Sequence, residues 1–460
     1  MVGLDASLPV SPGGSGPSSS TPLPTAALAL PAVFLVEAIL GGPTGVYGGV
    51  SVRLLLLAAT CAVLLMALLI RRRITGSHLA PILAILGFLL LNGAWIAIVP
   101  VITGTSIYWS LREGHAFLVL LPTVLTLALL SPEQLGRLLP SLQRLVVVTS
   151  LVLATFQIGI WVLGTLAERL QWLVPLGLGY VYGGAREQLY VGPTPDGFFR
   201  VFWISSLWCM LSYFWIPSAF PALRARWLLQ GILLMALVVT YSRGVWLGLA
   251  AGQLVAFGVR LAGGNYARVV LRATAVALVA GTLLAGALAA TGTLGLGVKR
   301  LTSTTSRDDA SISERIAQVP YLQKLWAEHP LLGNGYGAHS LRYVRSEQAP
   351  YSYEHMPYAL LAKLGVVGLI LSGLAFAGYG VTAWHGRREA PVQTASFLAG
   401  CSGLLIAEMT NPMVLNFVSM CIFACLLLQW AYLLPRSRPL VDRLRVSPLL
   451  LRPQADLGSR

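Results

Sequence analysis

Apolar runs of roughly 20 residues, separated by short polar or Gly/Pro-punctuated stretches, dominate this chain. Carried as a helix, a run of that length crosses the hydrocarbon core of a bilayer. The pattern predicts spans over 24–41, 50–70, 79–100, 114–130, 145–165, 198–220, 225–241, 244–264, 269–290, 357–380, 392–410 and 414–434. The first is the weakest, because Pro31 and Glu37 interrupt it. No stretch alternates in the manner of an outer-membrane barrel strand, so strands are not needed. The expected fold is therefore all-α, a polytopic membrane protein of about 12 transmembrane helices.

One long interval breaks the rhythm. From Ala290 to Tyr358 the chain is mostly polar, which predicts one large loop between helices 9 and 10, placed at 291–356. Residues 1–23, rich in Pro, Ser and Gly with no basic residue before the first apolar run, read as a disordered tail and not a signal peptide. The expected organisation is a tail at 1–23, a transmembrane helical domain at 24–434 that contains the loop, and a basic tail at 435–460. The segment ERLQWLVPLGLGYVY is apolar but broken by Pro and Gly, and reads either as an interfacial segment or as a plain connector. The GPTPDGFFR string after it marks a loop leading into a helix that begins near Arg200. The two halves differ in loop lengths and show no transporter-type repeat or paired broken helices.

Composition narrows the class. With 56% hydrophobic and 11% charged residues, an ordinary soluble domain is excluded. The net charge of +15 points to cytoplasmic loops of a membrane protein, with no nucleic-acid partner. Alternate connections put Arg71 to Arg73, Arg137, Arg144, Arg224, Arg226, Arg260, Arg268, Arg272, Arg387, Arg388 and the tail arginines from Arg436 onward on one side. The positive-inside rule makes that side cytoplasmic, both termini included, and turns the large loop and the Arg243 turn outward, toward the periplasm of a diderm bacterium. Glu37 and Glu408 read as the acids well inside spans. The five cysteines lie inside apolar runs and indicate neither disulfides nor a metal cluster.

Four places carry candidate chemistry. Arg243, in TYSRGVWLG between two long apolar runs, either snorkels to the outer headgroups or binds an anionic partner such as a phosphate. Arg315 lies in SERIAQVPYLQKLWAEHP, which reads as helical apart from its proline; it either pairs with Glu314 or a nearby acid or serves a ligand. The PLLGNGYGAHS string is either an ordinary turn or a set of backbone amides wrapped around a phosphate. Glu354 and His355 stand side by side where Pro357 opens the next helix, a pairing able to hold or accept a proton.

Taken together, Ser242-Arg243-Gly244, Arg315 with Trp326, Pro330 to Gly335, His355, and Gly365 to Gly368 resemble the motifs of the O-antigen ligase and O-antigen polymerase superfamily of bacterial membrane glycosyltransferases. The resemblance covers roughly residues 225–380. It implies transfer of a glycan from undecaprenyl diphosphate to an acceptor at the periplasmic face, with no cofactor and no metal. It further implies that Arg243 and Arg315 neutralise the lipid diphosphate and that His355 orients or deprotonates the acceptor hydroxyl for an inverting attack; outside the resemblance, Arg200 at a span entrance on the same side is a candidate extra phosphate ligand and Arg186 a weaker one. One departure concerns register. The family places the first glycine of G-x-x-G eleven residues after its histidine, whereas Gly365 is ten after His355, so a gap-free alignment puts Glu354 in the histidine slot. His339 is a third, lower-ranked candidate.

The leading expectation is an inner-membrane ligase that joins O-antigen to lipid A core, with membrane lipids as its surroundings. A repeat-unit polymerase of the same superfamily is the alternative. A transporter or lipid flippase is the competitor from another class, and an assembly partner a weaker third.

Overall fold

The computed structural model describes residues 25–41, 46–47, 50–71, 78–166, 189–194, 197–262, 310–344, 347, 349–409 and 416–434. Both expected tails, the expected span at 269–290 and the loop residues 291–309 lie outside them. The described residues are helical apart from two small antiparallel hairpins, β1 (Val46–Tyr47) with β2 (Val50–Ser51) and β3 (Leu189–Pro193) with β4 (Phe199–Trp203). Their helices are α1 (Thr25–Leu40), α2 (Val52–Arg71), α3 (Leu79–Thr103), α4 (Ile107–Leu129), α5 (Pro132–Leu166), α6 (Ser206–Ala219) and α7 (Arg226–Val239). After these come α8 (Arg243–Ala262), α9 (Ala310–Glu328), α10 (Met356–His385), α11 (Pro391–Met409) and α12 (Phe417–Leu433).

All-α holds, but about twelve crossings does not. Among the described residues seven helices are long and apolar enough to span a membrane, namely α2, α3, α4, α5, α8, α10 and α11. They make this chain a candidate multi-pass membrane protein. The rest fall short for identifiable reasons. The 14 residues of α6 and of α7 reach about 21 Å each, less than a hydrocarbon core of about 30 Å. The expected span at 198–220 fails at its start, because Phe199–Trp203 pairs with Leu189–Pro193 as a hairpin. Arg200 therefore sits on a strand, and the helix begins only at Ser206. The apolar helices α1 and α12, of 16 and 17 residues, are also short.

Close glycine contacts fix which helix ends lie together. A Cβ on Gly248 of α8 would meet the Gly403 carbonyl of α11 at 2.4 Å, and one on Gly252 would meet the Ala399 carbonyl at 2.8 Å. Rising numbers on one helix thus meet falling numbers on the other, so α8 and α11 are antiparallel. Helices α10 and α11 are joined by the short turn at 386–390, with Gly380 near Leu398, and form a second antiparallel pair. Arg243 at the start of α8, Met409 at the end of α11 and Met356 at the start of α10 consequently share one end of the bundle. Arg260 in the last turn of α8, and Arg387 and Arg388 after α10, lie at the other.

Helix α10 is broken. Gly365 takes φ 61° and ψ −172°, and the segment Pro330–Gly337 docks into the gap. The carbonyls freed by the break accept from this segment: the Asn334 N–H and Nδ2 donate to the Ala362 oxygen (2.9 and 3.2 Å), and the Gly335 N–H donates to the Lys363 oxygen (2.9 Å). In return the Val366 and Val367 N–H groups donate to the Pro330 and Leu331 oxygens (3.1 and 3.0 Å). The Trp95 indole of α3 donates to the Leu332 and Leu364 oxygens (2.8 and 3.0 Å). Each half-helix end is closed by a neighbour, which irregular backbone within a bilayer requires.

A buried ion pair anchors the same dock. Lys363 Nζ lies 2.5 Å from Glu113 Oε1 of α4, Glu113 Oε2 accepts from the Gly337 N–H (2.6 Å), and Lys363 also donates to the Tyr351 oxygen (2.9 Å). Glu113 thereby joins Glu408 as a buried acid inside the helical bundle, which the expected start of that span at 114 had missed, while Glu37 is half-buried. Glu37 pairs with Arg53 at 2.9 Å.

Gly365 offers the direct test of this dock. A Cβ there would lie 2.3 Å from both the Gly333 nitrogen and the Leu331 oxygen, in a left-handed conformation, so Gly365→Ala is expected to destabilise the protein by about 3 kcal/mol or more. Gly373→Ala, on the same helix with nothing within 4 Å, is expected to be neutral or slightly stabilising. Thermal unfolding in detergent compares the two, and equal midpoints would remove the dock as a stability determinant.

Candidate functional site

Helix α9 forms as the sequence implies, with Pro320 tolerated inside it. Residues one turn apart on a helix share a face, so Arg315, Gln318 and Leu322 point toward the chain that enters α10. Arg315 Nε donates to Glu354 Oε2 at 3.3 Å, with the arginine side chain 30% exposed and the glutamate 14%. This is the nearby-acid pairing open in the sequence, though the partner is Glu354; Glu314 instead accepts from the Tyr343 hydroxyl (3.3 Å). Gln318 is fully buried, and its Oε1 accepts from the Glu354 and His355 N–H groups at 2.8 and 3.3 Å. Arg315, Glu354 and His355 are thus brought together, with Gln318 as the junction that sequence reasoning missed. Its signal was present in the one-turn spacing from Arg315.

His355 precedes the first helical residue of α10, and its ring stands edge-on to Tyr358 at 4.8 Å. Its Nδ1 is buried and, among the described residues, has no hydrogen-bond partner beyond a contact with its own backbone. Burial lowers its pKa from the ordinary 6.5; a hydrogen bond to its own backbone works the other way, and the Arg315 charge lowers it further. Burial also pushes the Tyr351 and Tyr353 hydroxyls up to about 12, so these neighbours remain protonated.

The second group gathers at the start of α8. Tyr241 holds φ 50°, unusual for a residue with a side chain, and is kept there by stacking on Phe198 (4.1 Å between rings). That turn places half-buried Arg243 at the helix N-terminus. Arg200 lies alongside: its Nε donates to the Thr240 oxygen (2.7 Å), and its guanidinium covers the rings of Tyr190 and Phe202. The hairpin and the turn therefore bring Arg200 against Thr240, three residues before Arg243. Arg186 lies outside the described residues.

The glycine string does not cradle a phosphate. The N–H groups of Gly333, Asn334, Gly335, Tyr336 and Gly337 donate to His329, Ala362, Lys363, Trp95 and Glu113 respectively, all within the protein. What needs glycine here is proximity: Gly335 packs on Pro100, Gly337 on the Trp109–Ser110 backbone, and both have positive φ. Trp326 donates to the Pro330 oxygen (3.1 Å), tying α9 to this segment. His339 bonds to the Gly337 oxygen and meets Trp109 edge-on, as part of the same packing. Among the described residues no three His, Cys, Asp or Glu side chains gather into a metal-sized cluster.

The arrangement is that of a multi-pass membrane protein with two arginine-bearing groups and an acid–imidazole pair at one end of the bundle. Residues 228–372 match the family model described as O-Antigen ligase, so a domain of that family is present over roughly a third of the chain. The match contains Arg243, Arg315, Gln318, Glu354, His355 and the α10 break, and leaves out Arg200. No curated protein matches the chain.

The imidazole provides a measurable check. Because its neutral form is favoured, acylation of His355 by diethyl pyrocarbonate, followed by peptide mass spectrometry, is expected to show a midpoint below 6.5. Any stability linked to the neutral ring is lost as pH falls from 6.5 through that midpoint. Arg315→Ala removes a cation and exposes His355 to the Glu354 carboxylate, so the midpoint is expected to rise. A midpoint that falls or stays fixed would place the imidazole outside the field of this pair.

Proposed function

We propose that this chain is a glycosyltransferase of the bacterial inner membrane that moves a glycan from undecaprenyl diphosphate to an acceptor at the periplasmic face. The observation that carries the reading is the family match over 228–372, within which Arg243 and His355 lie at one end of the bundle. Arg260, Arg387 and Arg388 at the opposite end support a cytoplasmic assignment for that end by the positive-inside rule. Both termini are assigned to the cytoplasm on the same rule. The preferred activity is that of an O-antigen ligase joining O-antigen to lipid A core; a repeat-unit polymerase is the second reading. The Arg200 hairpin beside Arg243 favours it to the extent that a second outer segment reaches the site.

In this mechanism Arg243 and Arg315 hold the diphosphate. Arg243 stands at a helix N-terminus, where the helix dipole adds to its charge, and Arg200 and Arg186 are further phosphate ligands. Arg315 spends Nε on Glu354 and keeps its terminal nitrogens for phosphate oxygens. The acceptor oxygen forms a bond to the anomeric carbon from the face opposite the diphosphate. The bond from that carbon to the phosphate oxygen breaks, and undecaprenyl diphosphate leaves with the electron pair, its charge stabilised by the arginines. The acceptor proton passes to His355. Its Nδ1 is buried, which leaves Nε2 to receive the proton, and the neutral ring favoured by its surroundings is the form that does so. Glu354 is assigned to Arg315, and that pairing supports the histidine over the glutamate as proton acceptor. No metal or cofactor takes part.

Purified protein reconstituted with a radiolabelled undecaprenyl-diphosphate glycan and lipid A–core lipopolysaccharide is expected to release undecaprenyl diphosphate and label the lipopolysaccharide. No release with any glycan acceptor would sink the transferase reading and leave a transporter or flippase as its rival. Label built into longer glycan with no lipopolysaccharide acceptor would select the polymerase. Arg243→Ala and Arg315→Ala are each expected to lower kcat by about 10²-fold or more. His355→Ala is expected to cost about 10²- to 10⁴-fold, and near-normal turnover in that variant would remove the histidine from the mechanism.

A further inference from the structure

Gln318 is fully buried, yet it makes half of its possible hydrogen bonds within the protein. Its Oε1 accepts from two successive backbone N–H groups, those of Glu354 and His355, while its Nε2 is buried and unpartnered among the described residues. A glutamine kept only to close a helix entrance would be satisfied at both ends, since a buried amide left open costs about 1–3 kcal/mol. The two N–H groups it holds are the backbone amides of Glu354, which pairs with Arg315, and of His355, which carries the imidazole. Gln318 also sits one turn beyond Arg315 on the same helix face. One rigid turn of α9 therefore sets the guanidinium and the Glu354–His355 peptide in register.

We propose that Gln318 is a positioning residue for the transfer reaction, holding the Glu354–His355 peptide at a fixed distance from Arg315 so that the imidazole and the diphosphate-binding arginine act on one substrate. The inference rests on the transferase reading and extends it to a residue that reacts with nothing. Its oxygen matters as an acceptor of two N–H groups, so a carboxylate in its place preserves the function and an isosteric hydrocarbon does not. Binding of the donor depends on arginines that Gln318 does not touch. Loss of Gln318 is thus expressed in turnover and not in donor affinity.

The test uses the full chain in lipid nanodiscs, with the lipid-linked glycan as donor and lipid A–core lipopolysaccharide as acceptor. Gln318→Leu is expected to lower kcat about 30-fold with the donor KM changed less than about twofold, as for a displacement on the order of an ångström at a reacting group. Gln318→Glu is expected to recover kcat to within about fivefold of the parent. In parallel, the rate at which diethyl pyrocarbonate acylates His355 is expected to change about threefold or more in Gln318→Leu, a readout that needs no turnover. The proposal is overturned if Gln318→Leu keeps kcat within about twofold of the parent. It is equally overturned if both variants lose activity in step with folded fraction while His355 acylation stays at the parent rate. Absence of transfer by the parent protein refutes the transferase reading, and the acylation comparison then still decides whether Gln318 positions the imidazole.

Discussion

An unpaired backbone group in hydrocarbon costs several kcal/mol, and this constraint governs the region where α10 breaks. Interrupting a helix at Gly365 frees carbonyls on one side and N–H groups on the other. The Pro330–Gly337 segment answers both sets, its own amides donating to Ala362 and Lys363 and its carbonyls accepting from Val366 and Val367. The exchange is reciprocal, so neither the break nor the segment is stable without the other. Trp95 and the Glu113–Lys363 pair then fasten this joint to α3 and α4. Because removing one partner of a buried ion pair strands the other charge, the joint ties helices far apart in sequence into one unit.

The consequences reach the acid–imidazole pair through a short chain of contacts. Lys363 holds the Tyr351 carbonyl, and the Tyr353 hydroxyl accepts from the Ser340 N–H, so the irregular stretch before α10 is pinned at two points just ahead of Glu354. Gln318 pins it again at Glu354 and His355. Trp326 binds α9 to Pro330, the first residue of the docked segment. The parts of the polar insert that look separable in sequence thus form a single frame that carries the candidate residues.

Much of this architecture was legible, and the misreadings have physical causes. Hydrophobic run length located α2, α3, α8, α10 and α11 to within a few residues, because a bilayer demands length and little else. It overcounted spans where an apolar run serves another purpose, as at Phe199–Trp203, whose Gly/Pro-punctuated approach makes a hairpin. Spacing identified the helix that carries Arg315 and the proline that opens α10, since both are local signals. It could not identify the partner of Arg315, which comes from 39 residues away. Nor could it tell that the glycines at 333, 335 and 337 serve backbone contact and not anion binding, because both uses select glycine for the same absence of a side chain.

That last distinction redirects where charge is handled on the proposed reading. With the glycine-string amides committed to protein carbonyls and to Glu113, they contribute nothing to a diphosphate, and the burden falls on guanidinium groups. Arginine suits it: the planar fork of Arg315 can spend one nitrogen on Glu354 and present the others outward, which a lysine ammonium could not do with fixed geometry. Glu354, paired with Arg315 Nε, sets the direction in which that fork is held. The resting preference for neutral His355 comes mainly from burial, with the Arg315 charge acting in the same direction.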